Sequence, residues 1–327
     1  MKRIRQPLVF TPVYSKNIWG GCLIAAMPRR SFVPSPCGES WELSAHPSGS
    51  TSVREGTFTG TSLMQLAETF GPSLIGIAAP SPNRFPLLFK IIDAMDRLSV
   101  QVHPNDANAS LTNGEPKSEM WYVLDAAPDA CVYAGLTQGT DAQTFAAAIR
   151  DGTAADRMNR LPVRRGDALY IPGGLVHAIG PGCLIYEVQQ SSNTTYRLFD
   201  WNRVDASGEP RELHVEKGLL SIDWKLPTPS LRRAVPQTCA GRNEWSDVLT
   251  TPYFHLRQLC IRESEKIPLD GTTFHALFAL SGSVRVTCGG VTVEFAENSS
   301  CLVPADGIEY SLEPVGTETE LLITALQ

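Results

Sequence analysis

Close cysteine pairs are missing from this 327-residue chain. Its eight cysteines (Cys22, Cys37, Cys131, Cys183, Cys239, Cys260, Cys288 and Cys301) stand singly, with no Cys-x-x-Cys. Zinc ribbons and thioredoxin-like redox sites need such pairs, so neither is expected. The spacing has no disulfide-framework pattern either, and free thiols in a reducing cytosol are the expectation. Charge is scarce: 19% of residues are Asp, Glu, Lys or Arg, and 28 Lys+Arg against 34 Asp+Glu leave a formal net charge of −6. That balance argues against nucleic-acid or membrane-surface partners, which attract a basic excess. Long apolar runs are also lacking, and none approaches the ~20 residues of a membrane-spanning helix. The first residues, MKRIRQPLVFTPVY, are basic but have too short an apolar stretch before Pro12 for a secretory leader, so a cytoplasmic location is expected.

What the chain does have is hydrophobic bulk (43%) and many turn residues, 24 Pro and 26 Gly, scattered along its length. This suits short strands and turns over a sizeable core, in one large domain or two medium ones. PLLFKIIDA, RLSVQVHP, EMWYVLDA and ACVYAGL are β-branched or aromatic runs bounded by Pro, Asn, Asp or Gly, which is strand punctuation. Thr61–Phe70 reads as a capped helix, and the alanine-rich residues 138–161 as a small helical insertion. Strands resume at ALYIP, CLIYEVQ and TTYRLFDW, a Pro-rich linker is expected over residues 226–242, and FHLRQLCI, FHALFALSG, SVRVTCGGVTVEF, SSCLVPAD and TELLITAL follow. The expected fold class is mainly β: two antiparallel sandwich or barrel units, one in residues 1–225 and a smaller one in 243–327. The two share a pattern. Pro172 lies five residues before His177 in GDALYIPGGLVH, and Pro304 lies five before Glu309 in VPADGIE, as in a repeat with one histidine lost.

There are six histidines, and two fall where chemistry is expected. Alternation puts Gln101 and His103 on one strand face, and Lys117, Glu119 and Trp121 on another. His177 follows a tight Pro-Gly-Gly turn that aims it inward. An isolated Gln-x-His says little, but together Gln101, His103, Glu119 and His177 make a borderline donor set suited to Zn²⁺, and acceptable to Fe²⁺, Mn²⁺ or Co²⁺.

GDALYIPGGLVH (Gly166–His177) resembles the second motif of the cupin superfamily, and Gln101-Val-His103 with Glu119 a degenerate first motif. IWGG (Ile18–Gly21), GESWELSAHPSG (Gly38–Gly49), PLLFKIIDAMDRLSVQVHP (Pro86–Pro104), PKSEMWYVL (Pro116–Leu124) and EVQQSSNTTYRLFDWNR (Glu187–Arg203) narrow this further. Together they resemble the type I mannose-6-phosphate isomerases (phosphomannose isomerases) in their short bacterial form. The resemblance implies two cupin-like jelly-roll units and an enzyme of carbohydrate (mannose) metabolism. The reaction it implies is zinc-dependent aldose–ketose isomerisation of mannose 6-phosphate and fructose 6-phosphate through an enediolate.

It also implies one Zn²⁺ per chain on Gln101, His103, Glu119 and His177, a catalytic Arg197, and roles for Lys117 and Glu187. Lys90 falls in a segment matching the family's site, and Trp19 and Glu39 in segments resembling its mouth. Lys117, Glu187 or a metal-bound water would move the proton between C1 and C2, and Arg197 would stabilise the charge on O1 and O2. The phosphate needs donors at the pocket edge, for which Lys90, Ser99 and Arg197 are candidates. Glu309 and His275 in the second unit are expected to be a relict, without a complete metal site. The partner is a small sugar phosphate, with no nucleic acid and no membrane, and the chain is expected to be a monomer or weak dimer. An iron-dependent cupin oxygenase and a non-catalytic sugar-phosphate binder are the competing readings.

Overall fold

The short β-branched and aromatic runs become antiparallel strands, as their punctuation predicts. The computed structural model describes residues 2–204, 208–234 and 243–327. A seven-stranded sheet runs in the order Arg232–Arg233, Asp167–Ile171, Glu119–Ala126, Cys183–Gln190, Leu87–Ala94, Glu39–Leu43, Val13–Ser15. A five-stranded sheet, ordered Met158–Pro162, Cys131–Leu136, His177–Ile179, Val100–Val102, Tyr196–Phe199, faces it. Ile92, Trp121, Val123, Leu169 and Ile185 from the first sheet meet Val132, Ala134 and Ile179 from the second. The outer face of the five-stranded sheet is covered by the helix Ala142–Arg150, through Phe145 and Ile149.

The outer face of the seven-stranded sheet is covered as well. Phe89, Tyr122 and Tyr186 pack on Phe278 and Leu322 of a nine-stranded sheet built mostly from the C-terminal residues, and on Phe274 just before its strand His275–Cys288. Tyr186 stacks on Phe278 with ring centroids 4.2 Å apart. Leu87–Ala94 is therefore buried along its whole length, which is why its sequence is an almost continuous apolar run.

Several details depart from the sequence expectation. Residues 138–161 are not helical throughout, because Met158–Pro162 forms an edge strand on Cys131–Leu136. Part of the linker expected over residues 226–242 is sheet: Arg232–Arg233 pairs with Asp167–Ala168, tied by the Arg233–Asp167 ion pair. Residues 235–242, with Cys239, lie outside the described residues, and the other seven cysteines are free thiols. The N-terminal strand Leu8–Thr11 joins the C-terminal sheet by pairing with Ser300–Val303. The helix expected at Thr61–Phe70 runs Leu63–Phe70, with Ser62 and Gln65 forming a capping box. Among the described residues no helix is long and apolar enough to cross a membrane.

Candidate metal centre and active site

Strand register assembles the site. On the five-stranded sheet His177 pairs with Gln101, and Gln101 with Arg197, so three polar side chains stand in one row. On the facing sheet Trp121 pairs with Glu187, Glu187 with Lys90, and Lys90 with Trp41. Glu119, two residues before Trp121, points the same way. The apolar neighbours of these residues, Phe89, Tyr122 and Tyr186, point to the opposite face.

His177 is aimed by the turn before it. Gly174 has φ +94°, and a Cβ on Gly173 would lie 2.6 Å from the Pro104 carbonyl oxygen, so the pair accommodates both a left-handed turn and a close backbone approach. His103 and His177 each donate Nδ1–H to a backbone carbonyl, of Thr194 and Leu175 respectively, both at 2.8 Å. That fixes the tautomer and leaves both Nε2 lone pairs pointing inward. They lie 3.5 and 3.3 Å from the Glu119 carboxylate oxygens, and all three residues are buried.

Both Glu119 oxygens are buried without a hydrogen-bond partner. Lys117 Nζ stands 3.2 Å from Oε2 and 3.1 Å from His103 Nε2. The Gln101 amide nitrogen is 3.2 Å from His177 Nε2, so turning the amide over brings its oxygen to the same point. Buried, unsatisfied carboxylate oxygens and two oriented imidazoles fit a first-row divalent cation held by Gln101, His103, Glu119 and His177. The charge states agree. Burial, with the charge of Lys117, brings His103 down to about 3, and burial also lowers His177, so both are neutral ligands near pH 7. Burial opposes the Glu119 charge, but Lys117 and the two histidines together outweigh it, and the carboxyl lies well below its ordinary range.

Beside the cluster is a cavity of about 190 Å³, reached from the metal ligands through Gln101 and Lys117. Trp19, Glu39, Lys90, Ser99, Glu187 and Arg197 also line it, so every sequence-predicted site residue lies in the cavity wall or in the cluster behind it. Trp19 belongs at the same time to the sandwich core. Lys90 sits 3.5 Å from both Glu39 and Glu187 and 5.2 Å over the Trp41 ring. Burial works against its charge, but Glu39 and Glu187 prevail and raise its pKa. Glu187 accepts Trp121 Nε1–H at 3.0 Å on one oxygen, while the other has no hydrogen-bond partner. Burial and then the Glu119 charge push Glu187 up to about 7.

Sequence reasoning missed Asn17, Asn193, Thr195 and Arg211, which complete the polar part of the lining. Asn193 and Thr195 flank the His103-binding Thr194 and lie in a segment already singled out. Arg211 had no such signal. In the second unit, Glu309 pairs with Lys266 and His275 Nδ1 meets the Tyr310 hydroxyl at 2.9 Å. Among the described residues, His103, Glu119 and His177 form the one three-member group placed to hold a metal.

A two-imidazole, carboxylate and amide donor set between the sheets of a jelly roll defines a metal-binding protein of the cupin type. A model of "phosphomannose isomerase type I, catalytic domain" matches residues 8–158. Mannose-6-phosphate isomerase ManA of Bacillus subtilis is 36% identical over 94% of this chain and 96% of its own. The mannose-6-phosphate isomerase of Streptococcus mutans is 35% identical over 87% and 88%. The crystal structure of the Bacillus subtilis mannose 6-phosphate isomerase superposes with a TM-score of 0.87 at 27% identity, covering 98% of this chain and 99% of that one. The chain belongs to the type I mannose-6-phosphate isomerase family.

Proposed function

We propose that this protein is a zinc-dependent aldose–ketose isomerase that interconverts mannose 6-phosphate and fructose 6-phosphate through an enediolate. The observation that carries it is the Glu119 carboxylate, buried and unsatisfied between two oriented imidazoles, opening through Lys117 onto a cavity lined with cations. Gln101, His103, Glu119 and His177 hold one zinc ion, which when bound supplies a Lewis acid for the charge that builds on O1 and O2.

The chain's own residues do the rest. Glu187 has one carboxylate oxygen without a hydrogen-bond partner and a pKa near neutrality, so it suits taking the C2 proton and returning it at C1. Arg197 stays charged and stands in register with Gln101, beside the ligands, where it steadies the developing oxyanion. Lys117 binds a sugar oxygen or carries the hydroxyl proton from O2, which it leaves as the C2 carbonyl forms, to O1. Trp19, Glu39, Lys90 and Ser99 form walls that meet the sugar hydroxyls and exclude water.

Catalysis falls to the unit of residues 1–225, and 243–327 supports it. The free thiols suit a cytoplasmic location. An oxygenase acting on an apolar substrate would have no use for Lys90, Lys117 and Arg197 around its pocket. The test is fructose 6-phosphate formation from mannose 6-phosphate in a coupled assay, before chelation, after it, and after zinc is restored. Turnover that vanishes and returns supports the reading, and none in the zinc-restored protein refutes it.

A further inference from the structure

The segment that supplies Glu187 and Arg197 holds a buried polar side chain that the proposed chemistry does not use. Gln189 is fully buried. Its strand partner is Glu119, and alternation turns its side chain to the same face as Glu187, into the sandwich. Gln189 Nε2 donates to the Gln190 carbonyl at 2.8 Å and to the Ser192 carbonyl at 2.7 Å. Two carbonyl acceptors demand two N–H donors, so the orientation of this amide is settled and Oε1 faces away from them. Oε1 is buried with no hydrogen-bond partner. Leaving a buried amide oxygen unpaired is unfavourable, and an unbranched apolar residue would avoid it. What this side chain contributes is its two donors.

They close the turn that follows the strand, where Ser192 N–H also donates to the Gln190 carbonyl at 2.7 Å. From that turn a path of hydrogen bonds leads to a metal ligand. The Ser192 hydroxyl donates to the Glu115 carbonyl and accepts Thr194 N–H, both at 3.2 Å. Glu115 N–H donates to Thr194 Oγ1 at 3.0 Å. Thr194 is thereby held from two sides, and its carbonyl accepts His103 Nδ1–H at 2.8 Å. His177 is anchored elsewhere, on the Leu175 carbonyl in the turn just before it. The two imidazoles have separate supports, and the one that runs through Gln189 belongs to His103.

We infer that Gln189 is a positioning residue for the metal centre. Its amide fixes the turn over residues 190–194, the turn aims the Thr194 carbonyl, and that carbonyl orients His103. This rests on the metal-site reading above and adds a residue outside the donor set that sets the direction of one ligand.

The test uses the whole chain with isotope-labelled histidine. In the metal-free protein the imidazole Nδ1–H signals of His103 and His177 report the two anchors separately. Gln189→Met keeps the length of the side chain and removes both donors. The His103 signal should exchange with water about tenfold faster or more, while the His177 signal keeps its position and rate. Zinc titrated against a chelating indicator should bind about tenfold more weakly, the low end of what outer-shell partners of ligating histidines are worth.

A purely structural Gln189 would disturb both histidines alike, or neither. Either pattern in folded Gln189→Met, or zinc affinity within about twofold of the parent, overturns the inference. Should Gln189→Met fail to fold, Ser192→Ala decides, because it cuts the same path one link nearer Thr194. It must loosen the His103 signal alone, and an unchanged signal refutes the inference. If the parent binds no zinc, the metal-site reading fails, and the His103 signal of the metal-free variants still decides this one. Zinc binding and isomerisation in a protein whose His103 signal ignores Gln189 refute this inference alone.

Discussion

Glu187 offers the sharpest test of the chemistry. Its carboxyl is buried between Lys90 and Trp121, one oxygen takes the indole N–H, and the other is unsatisfied. Glu187→Gln keeps the shape and the acceptor for Trp121, and removes the group proposed to take the proton. A positioned general base contributes about 10²–10⁴-fold, so kcat is expected to fall about a thousandfold. Zinc content should be unchanged, since Glu187 is not among the ligands. The assay is the coupled rate beside metal analysis on the same preparation. A variant that keeps more than about a tenth of kcat, well outside that range, removes Glu187 as the base. Loss of activity together with loss of zinc makes it a structural residue instead.

The pH profile tests the same residue independently. Without metal, burial and the Glu119 charge hold Glu187 up to about 7. A base works only when ionised, so kcat/KM drops about tenfold for each pH unit below its pKa. Loading the cluster with a divalent cation offsets the charge of Glu119 and takes away one cause of the upward shift. The acidic limb of the zinc-loaded enzyme should therefore lie below 7 and above the ordinary glutamate value of about 4.3. In the metal-free protein the Glu187 carboxyl resonance should titrate higher than in the loaded one. The opposite order would refute the electrostatic account.

The other predictions concern the scaffold. Gly174→Ala places a Cβ at φ +94° and 2.9 Å from the Asp223 Cβ, so it should cost about 1–2 kcal/mol or more and lower zinc affinity by misaiming His177; equilibrium melts and metal titration read both. Tyr186→Phe removes a buried hydroxyl with no hydrogen-bond partner while keeping the stack on Phe278, and should raise stability by about 1 kcal/mol in denaturant unfolding. Asp200 is opposed by burial, but its hydrogen bonds from Arg211 and Arg203 prevail and hold its pKa below the ordinary value of about 3.9. A lowered acid adds stability above its unfolded pKa that disappears as pH falls through the folded one. The melting deficit of Asp200→Asn at pH 6 should therefore shrink steadily below about pH 4.

What was legible in the sequence was local. Strand segments announced themselves because apolar runs ended at Pro, Gly, Asn or Asp, and the cluster of His103, Glu119 and His177 because alternation and the Pro-Gly-Gly turn gave each a direction. What was not legible depended on a distant partner. Leu8–Thr11 falls within the unit expected over residues 1–225, but its partner Ser300–Val303 lies at the far end of the chain, and no periodicity encodes that. Arg232–Arg233 is a strand only because Asp167 is there to pair with it. Gly282 read as a turn between two strands. It sits at φ +74° inside one strand, His275–Cys288, where the register against Glu309–Leu326 shifts on either side of Ser281, so the glycine makes a bulge instead of an ending. Arg211 escaped because its place is set by Asp200, and by the bond from Arg197 to the carbonyl of the neighbouring Glu212, and neither contact follows from its sequence neighbours.

The scarcity of charge has a structural counterpart. Lys90, Lys117, Glu39, Glu119 and Glu187 are gathered inside a sandwich, and buried ions are costly even when paired. The strands that carry Lys90, Glu119 and Glu187 present Phe89, Tyr122 and Tyr186 on their other face, against Phe274, Phe278 and Leu322. Each such side chain fully buried contributes about 1.5–3 kcal/mol. The C-terminal unit thus supplies hydrophobic burial to the very strands that carry the buried charge. On this account it is kept for stabilising the sheet that holds the site, which explains how it can do without metal ligands of its own. The net charge of −6 is the wrong scale for an anionic substrate, because Arg197 and Arg211 line the cavity itself.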